Sequence, residues 1–131
     1  MRITKELLDQ IVAHAREDEP NECCGLISGA DGQASSVYRA RNEFESPMRF
    51  NVHPQDLIRI TNEIDEAGEE LVAIYHSHPR SEAYPSQTDI NLAANWPDPL
   101  WLICSLAGEE PVVRAFSIRD SAVEEVELDV G

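Results

Sequence analysis

The chain has 131 residues, a length typical of one compact domain that can bury a core without disulfides or a structural metal. Ten lysines and arginines stand against 25 aspartates and glutamates, so the formal net charge is -15 at pH 7. This acidity argues against a nucleic acid or an anionic membrane as partner, because both are bound through basic patches. It leaves two explanations open, general solubility and a salt-rich cytoplasm.

No apolar run approaches the roughly 20 residues that span a bilayer, and the N-terminus lacks the apolar core of a signal peptide. The three cysteines are an odd number, and the adjacent Cys23 and Cys24 would point to opposite faces of a strand. They make a poor disulfide framework. We therefore expect a cytoplasmic protein with reduced thiols. The oligomeric state is not fixed, and a homodimer is left open.

Hydrophobic periodicity predicts alternating helices and strands in the first part of the chain. Leu7, Ile11 and Ala15 recur at helical spacing in a first helix of about residues 4–17, with Thr4 as its N-cap. A strand over residues 22–28 and a second strand around 36–40 follow, joined by a glycine-bounded turn. Both histidines outside the later motif, His14 and His53, are expected on the surface.

Residues 41–53 show no clean period and are predicted to form a loop. Pro54 begins a second helix, which Gly68 ends. The apolar run 71–76 is typical of a strand covered on both faces. Ser86 has the position of an N-cap, with Asp89 placed to reach back to it. The last predicted strands are 100–106, 111–118 and 122–128. This order predicts a mixed α/β sheet with helices on both faces, a three-layer αβα sandwich.

Two histidines near the end of the buried strand suggest a metal site. His76 and His78 are two residues apart, so their side chains point to the same side of the sheet. Asp89, in the first turn of the third helix, can fold back over the strand end. Two imidazoles and one carboxylate leave the fourth position of a zinc ion open to water, which is the catalytic arrangement rather than the structural one. Such a site still needs a base for the proton.

Each of these residues also has a purely structural interpretation. His76 and His78 could be hydrogen-bonded strand-end histidines, Asp89 a helix N-terminal acid, and Ser86 an N-cap. The spacing H-x-H-x7-S-x2-D places all four in one register, which favours the metal site. From the residues alone, Glu22 could equally be a catalytic base or a solvated strand-edge glutamate.

The segment His76–Pro79 (HSHP), followed by Ser86 and Asp89, resembles the signature of the JAMM, or MPN-plus, zinc metalloproteases. Members of that family cut peptide or isopeptide bonds after the C-terminus of ubiquitin-like proteins. The resemblance extends over nearly the whole chain and implies an MPN domain with a cytidine-deaminase-like fold.

The resemblance also implies a role for each site residue. It implies Zn2+ bound by His76, His78 and Asp89, with Glu22 as general acid/base and Ser86 as a hydrogen-bond donor to the oxyanion. The expected metal is therefore catalytic.

The segments 42–47 and 82–86 look like those of the small actinobacterial-type members of the family. The best known of these members resembles a peptidase that releases cysteine from the C-terminus of a sulfur-carrier protein. The implied partner is a small ubiquitin-like or sulfur-carrier protein whose Gly-Gly tail lies beside the metal. Residues 42–53 are expected to form one wall of the groove, with Asn42 and Phe50 as substrate-binding residues. The leaving group, free cysteine or a lysine side chain, stays open.

Two other function classes are less favoured. A zinc nucleobase deaminase would need a C-x-x-C pair, and the chain has none. A non-catalytic scaffold typically loses metal ligands, whereas this chain keeps His76, His78 and Asp89 together with Glu22 and Ser86.

Overall fold

A single eight-stranded mixed sheet carries the three helices of the computed structural model, which describes residues 1–131. The helices are α1 (Lys5–Asp18), α2 (Pro54–Glu66) and α3 (Gln87–Ala93). The strands are β1 (Arg2–Ile3), β2 (Cys24–Ala30), β3 (Gln33–Ala40), β4 (Glu70–His78), β5 (Leu100–Ser105), β6 (Val112–Arg119), β7 (Ala122–Val126) and β8 (Asp129–Val130). None of the helices combines the length and the apolar character that crossing a membrane requires.

The strands lie in the order β7-β6-β5-β4-β2-β3-β1-β8. The central pair β4 and β5 is parallel, whereas β2 runs antiparallel to β4 on the other side. The β2–β4 register sets Cys24 opposite His76 and Gly25 opposite Tyr75. Gly25 is required there, because a Cβ atom at this position would collide with the ring of Tyr75.

Helix α1 covers one face of the sheet, and α2 and α3 cover the other. Alternate residues of β4 therefore enter two separate cores: Tyr75 packs on the α1 side, and Ile74 packs on the side of α2 and α3. Trp101 of β5 is fully buried in the core on the side of α2 and α3, and Trp96 packs against the same core. The three layers confirm the predicted fold class.

The caps of α1 and α2 follow the predicted signals. The hydroxyl of Thr4 accepts a hydrogen bond from the backbone N–H of Leu7 at 3.2 Å, and α1 extends one residue beyond the predicted end. His53 lies at the N-cap of α2, and Gly68 follows α2 with a φ of +72°. Strands β1 and β8 were not predicted, because two residues are too few to show a period.

The expectation that His14 is a surface residue is wrong. Its side chain is buried under α1, where Nδ1 forms a 2.7 Å hydrogen bond with the hydroxyl of Tyr75. Nε2 lies 3.3 Å from a carboxylate oxygen of Asp18. His14 follows Ile11 by one helical turn, so it belongs to the buried stripe of α1. The three cysteines are all buried and free.

Asp56 connects the start of the 41–53 segment to α2. Its carboxylate accepts hydrogen bonds from the backbone N–H of Arg41 at 2.8 Å and from the guanidinium at 3.0 and 3.1 Å. The hydrogen bond from the Arg41 side chain is the main cause that lowers the pKa of Asp56 to about 2, from an ordinary value of 3.8.

We expect the substitution Asp56→Asn to lower the free energy of unfolding at pH 7 by about 1–3 kcal/mol, because it removes charge-assisted hydrogen bonds. The pKa of Asp56 is depressed, so its stabilisation is present above pH 3.8 and is lost as the pH falls towards 2. Urea unfolding at pH 7 and near pH 3 measures both effects.

The matched control is Asp65→Asn, which changes an exposed carboxylate of the same helix. A loss of stability that is equal in the two variants, or that persists unchanged in acid, would contradict the role assigned to Asp56.

Candidate active site

The end of β4 presents two imidazoles to the side of the sheet that α3 covers. His76 is fully buried and His78 is 3% exposed. Their Nε2 atoms lie 3.1 Å apart, as the two-residue spacing on a strand predicts. Nδ1 of His78 lies 2.8 Å from the backbone carbonyl oxygen of Glu82, to which it donates a hydrogen bond. That bond leaves Nε2 of a neutral His78 with its lone pair directed at the site.

Helix α3 begins with a capping box that places Asp89 against the two histidines. The hydroxyl oxygen of Ser86 accepts from the Asp89 N–H at 3.1 Å, and Asp89 Oδ2 accepts from the Ser86 N–H at 2.9 Å. The same Oδ2 atom lies 3.1 Å from Nε2 of His76 and 3.0 Å from Nε2 of His78. The helix cap therefore also fixes the carboxylate in the site.

Glu22 joins this cluster from the residues that lead into the neighbouring strand β2. It lies two residues before β2, and the antiparallel pairing continues past the strand, because the Ser77 N–H donates to the Cys23 carbonyl. The ligand atoms of Glu22, His76, His78 and Asp89 all lie within 4.8 Å of one another. Glu22 is 4% exposed, and its Oε1 atom has no hydrogen-bond partner.

Burial raises the pKa of Glu22 to about 8, from an ordinary value of 4.5. Burial would also raise the pKa of Asp89, but attraction to His76 and the hydrogen bonds at its Oδ2 atom hold that pKa well below its usual range. Burial lowers the pKa of His76, whereas the pKa of His78 is raised despite burial, by its hydrogen bonds with Asp89 and Glu82. The protonated form is therefore favoured at Glu22 and the ionised form at Asp89.

The donor set fits a metal ion. In the neutral form of His78, its Nε2 lone pair faces the carboxylate of Asp89 at 3.0 Å, and His76 lies within 3.1 Å of both, an arrangement that can hold a metal ion. Two imidazole nitrogens and one carboxylate oxygen form the protein ligand set of an open, catalytic type of zinc site. The Oε1 atom of Glu22 has no hydrogen-bond partner, and the ligand atom of Glu22 lies within 4.8 Å of those of the other three residues.

The two residues expected to bind substrate have internal contacts. Asn42 is 8% exposed and makes four hydrogen bonds. Its Nδ2 donates to the backbone carbonyls of Glu22 and Arg49, each at 3.1 Å. Its Oδ1 accepts from two backbone N–H groups of the 41–53 segment. Substrate contact by Asn42 stays a prediction, and the observed contacts position Glu22.

Phe50 is 3% exposed and stacks on the ring of His76, with centroids 4.3 Å apart and planes 19° apart. It therefore touches a candidate metal ligand, and its contact with substrate also stays a prediction. Met48, from the same segment, is 78% exposed. The packing of Phe50 on His76 leaves no local sequence signal, because it joins distant parts of the chain. The bond from His78 to Glu82 is local, but its acceptor is a main-chain carbonyl, which the residue type does not reveal.

Comparison with known proteins agrees with the motif. The profile described as prokaryotic homologs of the JAB domain, Prok-JAB, matches residues 4–119. The chain is 34% identical over 131 residues to the CysO-cysteine peptidase of Mycobacterium tuberculosis, which covers 98% of this chain and 89% of the relative. It is 36% identical over 116 residues to a desampylase of Haloferax volcanii, with 82% of each chain covered.

A solved structure of similar size has the same fold over nearly its full length. Protein DSY2949 from Desulfitobacterium hafniense superposes with a TM-score of 0.91 at 34% identity, covering 99% of this chain and 92% of that one. The profile match spans all three helices and the four residues of the cluster. The chain belongs to the family of prokaryotic JAB-domain homologs, the small JAMM/MPN proteins that its residues 76–89 resemble.

Proposed function

We propose that this protein is a zinc-dependent peptidase or isopeptidase that hydrolyses the bond after the C-terminal Gly-Gly tail of a small ubiquitin-like or sulfur-carrier protein. The observation that carries the proposal is the unpartnered carboxyl of Glu22 within 4.8 Å of His76, His78 and Asp89. The family membership and the peptidase and desampylase relatives support a hydrolase that acts on small protein conjugates.

His76, His78 and Asp89 would hold the zinc ion. When bound, zinc acidifies a water molecule and polarises the carbonyl group that this water attacks. Glu22 takes a proton from the attacking water and transfers it to the departing amine, a role that suits a buried carboxyl whose Oε1 atom has no hydrogen-bond partner.

Ser86 can serve both as a cap and as a catalytic donor. Its oxygen accepts from the Asp89 N–H, and its hydroxyl hydrogen has no acceptor in the structure. That hydrogen is available to the oxyanion that develops on the attacked carbonyl. Donors of this kind contribute about 3–4 kcal/mol to transition-state stabilisation.

The carrier tail has a candidate binding surface beside His76. A cavity of about 100 Å³ is lined mainly by apolar side chains, including Phe50, Val52, Leu92 and Trp96. Its position against the 41–53 segment supports the expectation that this segment forms one wall of the tail groove. A small aliphatic side chain near the Gly-Gly end matches the size of the cavity.

The first test is metal content. Elemental analysis is expected to find one zinc ion per chain in the wild type and none in the variant His76→Ala/His78→Ala, because that variant removes two of three ligands. His53→Ala is the control, since it removes a histidine outside the cluster. Wild-type protein that stays free of zinc after incubation with it would contradict the proposal and favour a non-catalytic scaffold.

The second test separates the acid/base from the metal ligands. Glu22→Gln is expected to keep its zinc and to lose on the order of 10²–10⁴ in kcat on a carrier conjugate, because glutamine cannot shuttle a proton. Glu109→Gln, which changes an exposed glutamate in the β5–β6 turn, should keep wild-type turnover. Turnover near the wild-type value in Glu22→Gln would show that another group moves the proton.

The third test asks whether Asn42 and Phe50 bind substrate or position the site. Asn42→Ala removes two hydrogen bonds to carbonyls and two from N–H groups, so we expect a kcat reduced by about tenfold through displacement of Glu22. If either residue instead binds substrate directly, its replacement by alanine should raise KM with little change in kcat. Unchanged KM and kcat in both Asn42→Ala and Phe50→Ala would remove these residues from the mechanism.

A further inference from the structure

Glu22 also lines an open cleft that the other three residues of the cluster do not touch. The cleft has a volume of about 610 Å³ and no hydrophobic residue in its lining. The C-terminal end of α1 forms one side, and the beginning of the 41–53 segment forms the other. This acidic cleft is distinct from the apolar cavity beside His76, which is lined by the later part of the same segment.

Carboxylates dominate the acidic cleft. Besides Glu22, the acidic side chains are Glu17, Asp18, Glu43 and Glu45. Glu17 is paired with Arg39, and Asp18 lies beside His14. Glu43 accepts only a 3.3 Å hydrogen bond from the amide of Asn51, and Glu45 has no side-chain partner, so the charges on the 41–53 side are not neutralised.

The two basic groups of the acidic cleft do not offset these charges. The guanidinium of Arg41 is bound by Asp56, which lies outside the cleft, through two hydrogen bonds. Nδ1 of His53 accepts from the Gln55 N–H. An anionic ligand would have to share the guanidinium of Arg41 with Asp56, while a cationic ligand would face Glu43 and Glu45.

An acidic surface alone would be unremarkable in a chain of net charge -15. The acidic cleft differs from the rest of the surface because a side chain that is 4% exposed, with an unpartnered carboxyl oxygen, forms part of its wall. In the proposed function that side chain, Glu22, protonates the leaving amine. A general acid must lie within hydrogen-bond reach of the atom that it protonates, so the leaving group lies next to Glu22.

We propose that the acidic cleft binds the leaving-group side of the substrate and selects a lysine of a target protein flanked by basic residues. This inference rests on the proposed function. In hydrolysis the C–N bond breaks, water supplies the hydroxyl of the new carboxylate on the carrier, and the proton that Glu22 transfers completes the lysine amine. A carrier–cysteine conjugate instead presents a free carboxylate next to the scissile amide, and Glu43 and Glu45 repel it.

The test uses three substrates with the same Gly-Gly tail. In the first the tail is linked to the side chain of a lysine with arginine and lysine neighbours, in the second to a lysine with glutamate neighbours, and in the third to free cysteine. We expect kcat/KM to be about tenfold higher for the first substrate than for the other two at low salt. The difference should shrink in 0.5 M NaCl, because these charges are exposed.

The variant Glu43→Gln/Glu45→Gln should abolish most of the preference while cleaving the acidic substrate and the cysteine conjugate at least as fast as wild type. The matched control Glu109→Gln/Glu110→Gln removes the same charge from an exposed turn outside the cleft and should keep the preference. Equal cleavage of all three substrates, or faster cleavage of the cysteine conjugate, would overturn the inference and leave the proposed function intact.

Binding gives a second readout that does not depend on turnover. Titration calorimetry with the basic lysine peptide alone, without the carrier tail, should show binding to the wild type and at least about fivefold weaker binding to Glu43→Gln/Glu45→Gln. If no conjugate is cleaved but this peptide binds in that way, the proposed reaction fails and the cleft assignment stands. Equal affinity in the two proteins would overturn the cleft assignment.

Discussion

One carboxylate oxygen connects the fold to the chemistry of this protein. Oδ2 of Asp89 accepts a hydrogen bond from the backbone N–H of Ser86 and lies within 3.1 Å of Nε2 of both His76 and His78. The start of α3 is thereby fixed to the end of β4, although these elements are separated by a loop. A capping box is a local device that depends on residues three apart, and here it also aligns a candidate metal ligand.

Glu22 presents the opposite case, a group that the fold leaves unsatisfied. A buried carboxyl oxygen without a partner costs folding free energy, and such groups persist mainly where function needs them. Its backbone, in contrast, is held at both ends: the N–H donates to the Ser46 carbonyl at 2.9 Å, and the carbonyl accepts from Asn42. The main chain is fixed and the carboxyl oxygen is left without a partner, which suits the proposed role of general acid/base.

The sequence predicts the parts of the site that depend on short-range geometry. The two-residue spacing of His76 and His78 and the cap at Ser86 and Asp89 determine side-chain direction within one strand and one helical turn, and the structure places these four residues together. Glu22 is distant in sequence from these residues, and only the family resemblance singles it out, because its position depends on how β2 pairs with β4.

The features that the sequence does not predict correctly also depend on contacts between residues that are distant along the chain. His14 repeats the helical spacing of Ile11, yet its burial becomes favourable only because the hydroxyl of Tyr75 meets its ring nitrogen across the helix–sheet interface. The contacts of Asn42 and the stacking of Phe50 on His76 likewise join residues of an aperiodic segment to distant strands. No periodic pattern reports such contacts, whereas the mixed sheet with helices on both faces follows directly from alternating periods.

The residues proposed for the reaction and those proposed for substrate selection lie on different kinds of element. The candidate metal ligands lie on β4 and α3, where packing fixes their geometry, and Glu22, the proposed acid/base, lies just before β2. The surfaces that would meet the two halves of a substrate both belong to the 41–53 segment, with its acidic early part on the side of Glu22 and its apolar later part against His76. Substitutions at Glu43 or Glu45 can therefore alter which conjugate is bound without moving a metal ligand, since neither contacts one, whereas Phe50 couples the apolar surface directly to His76.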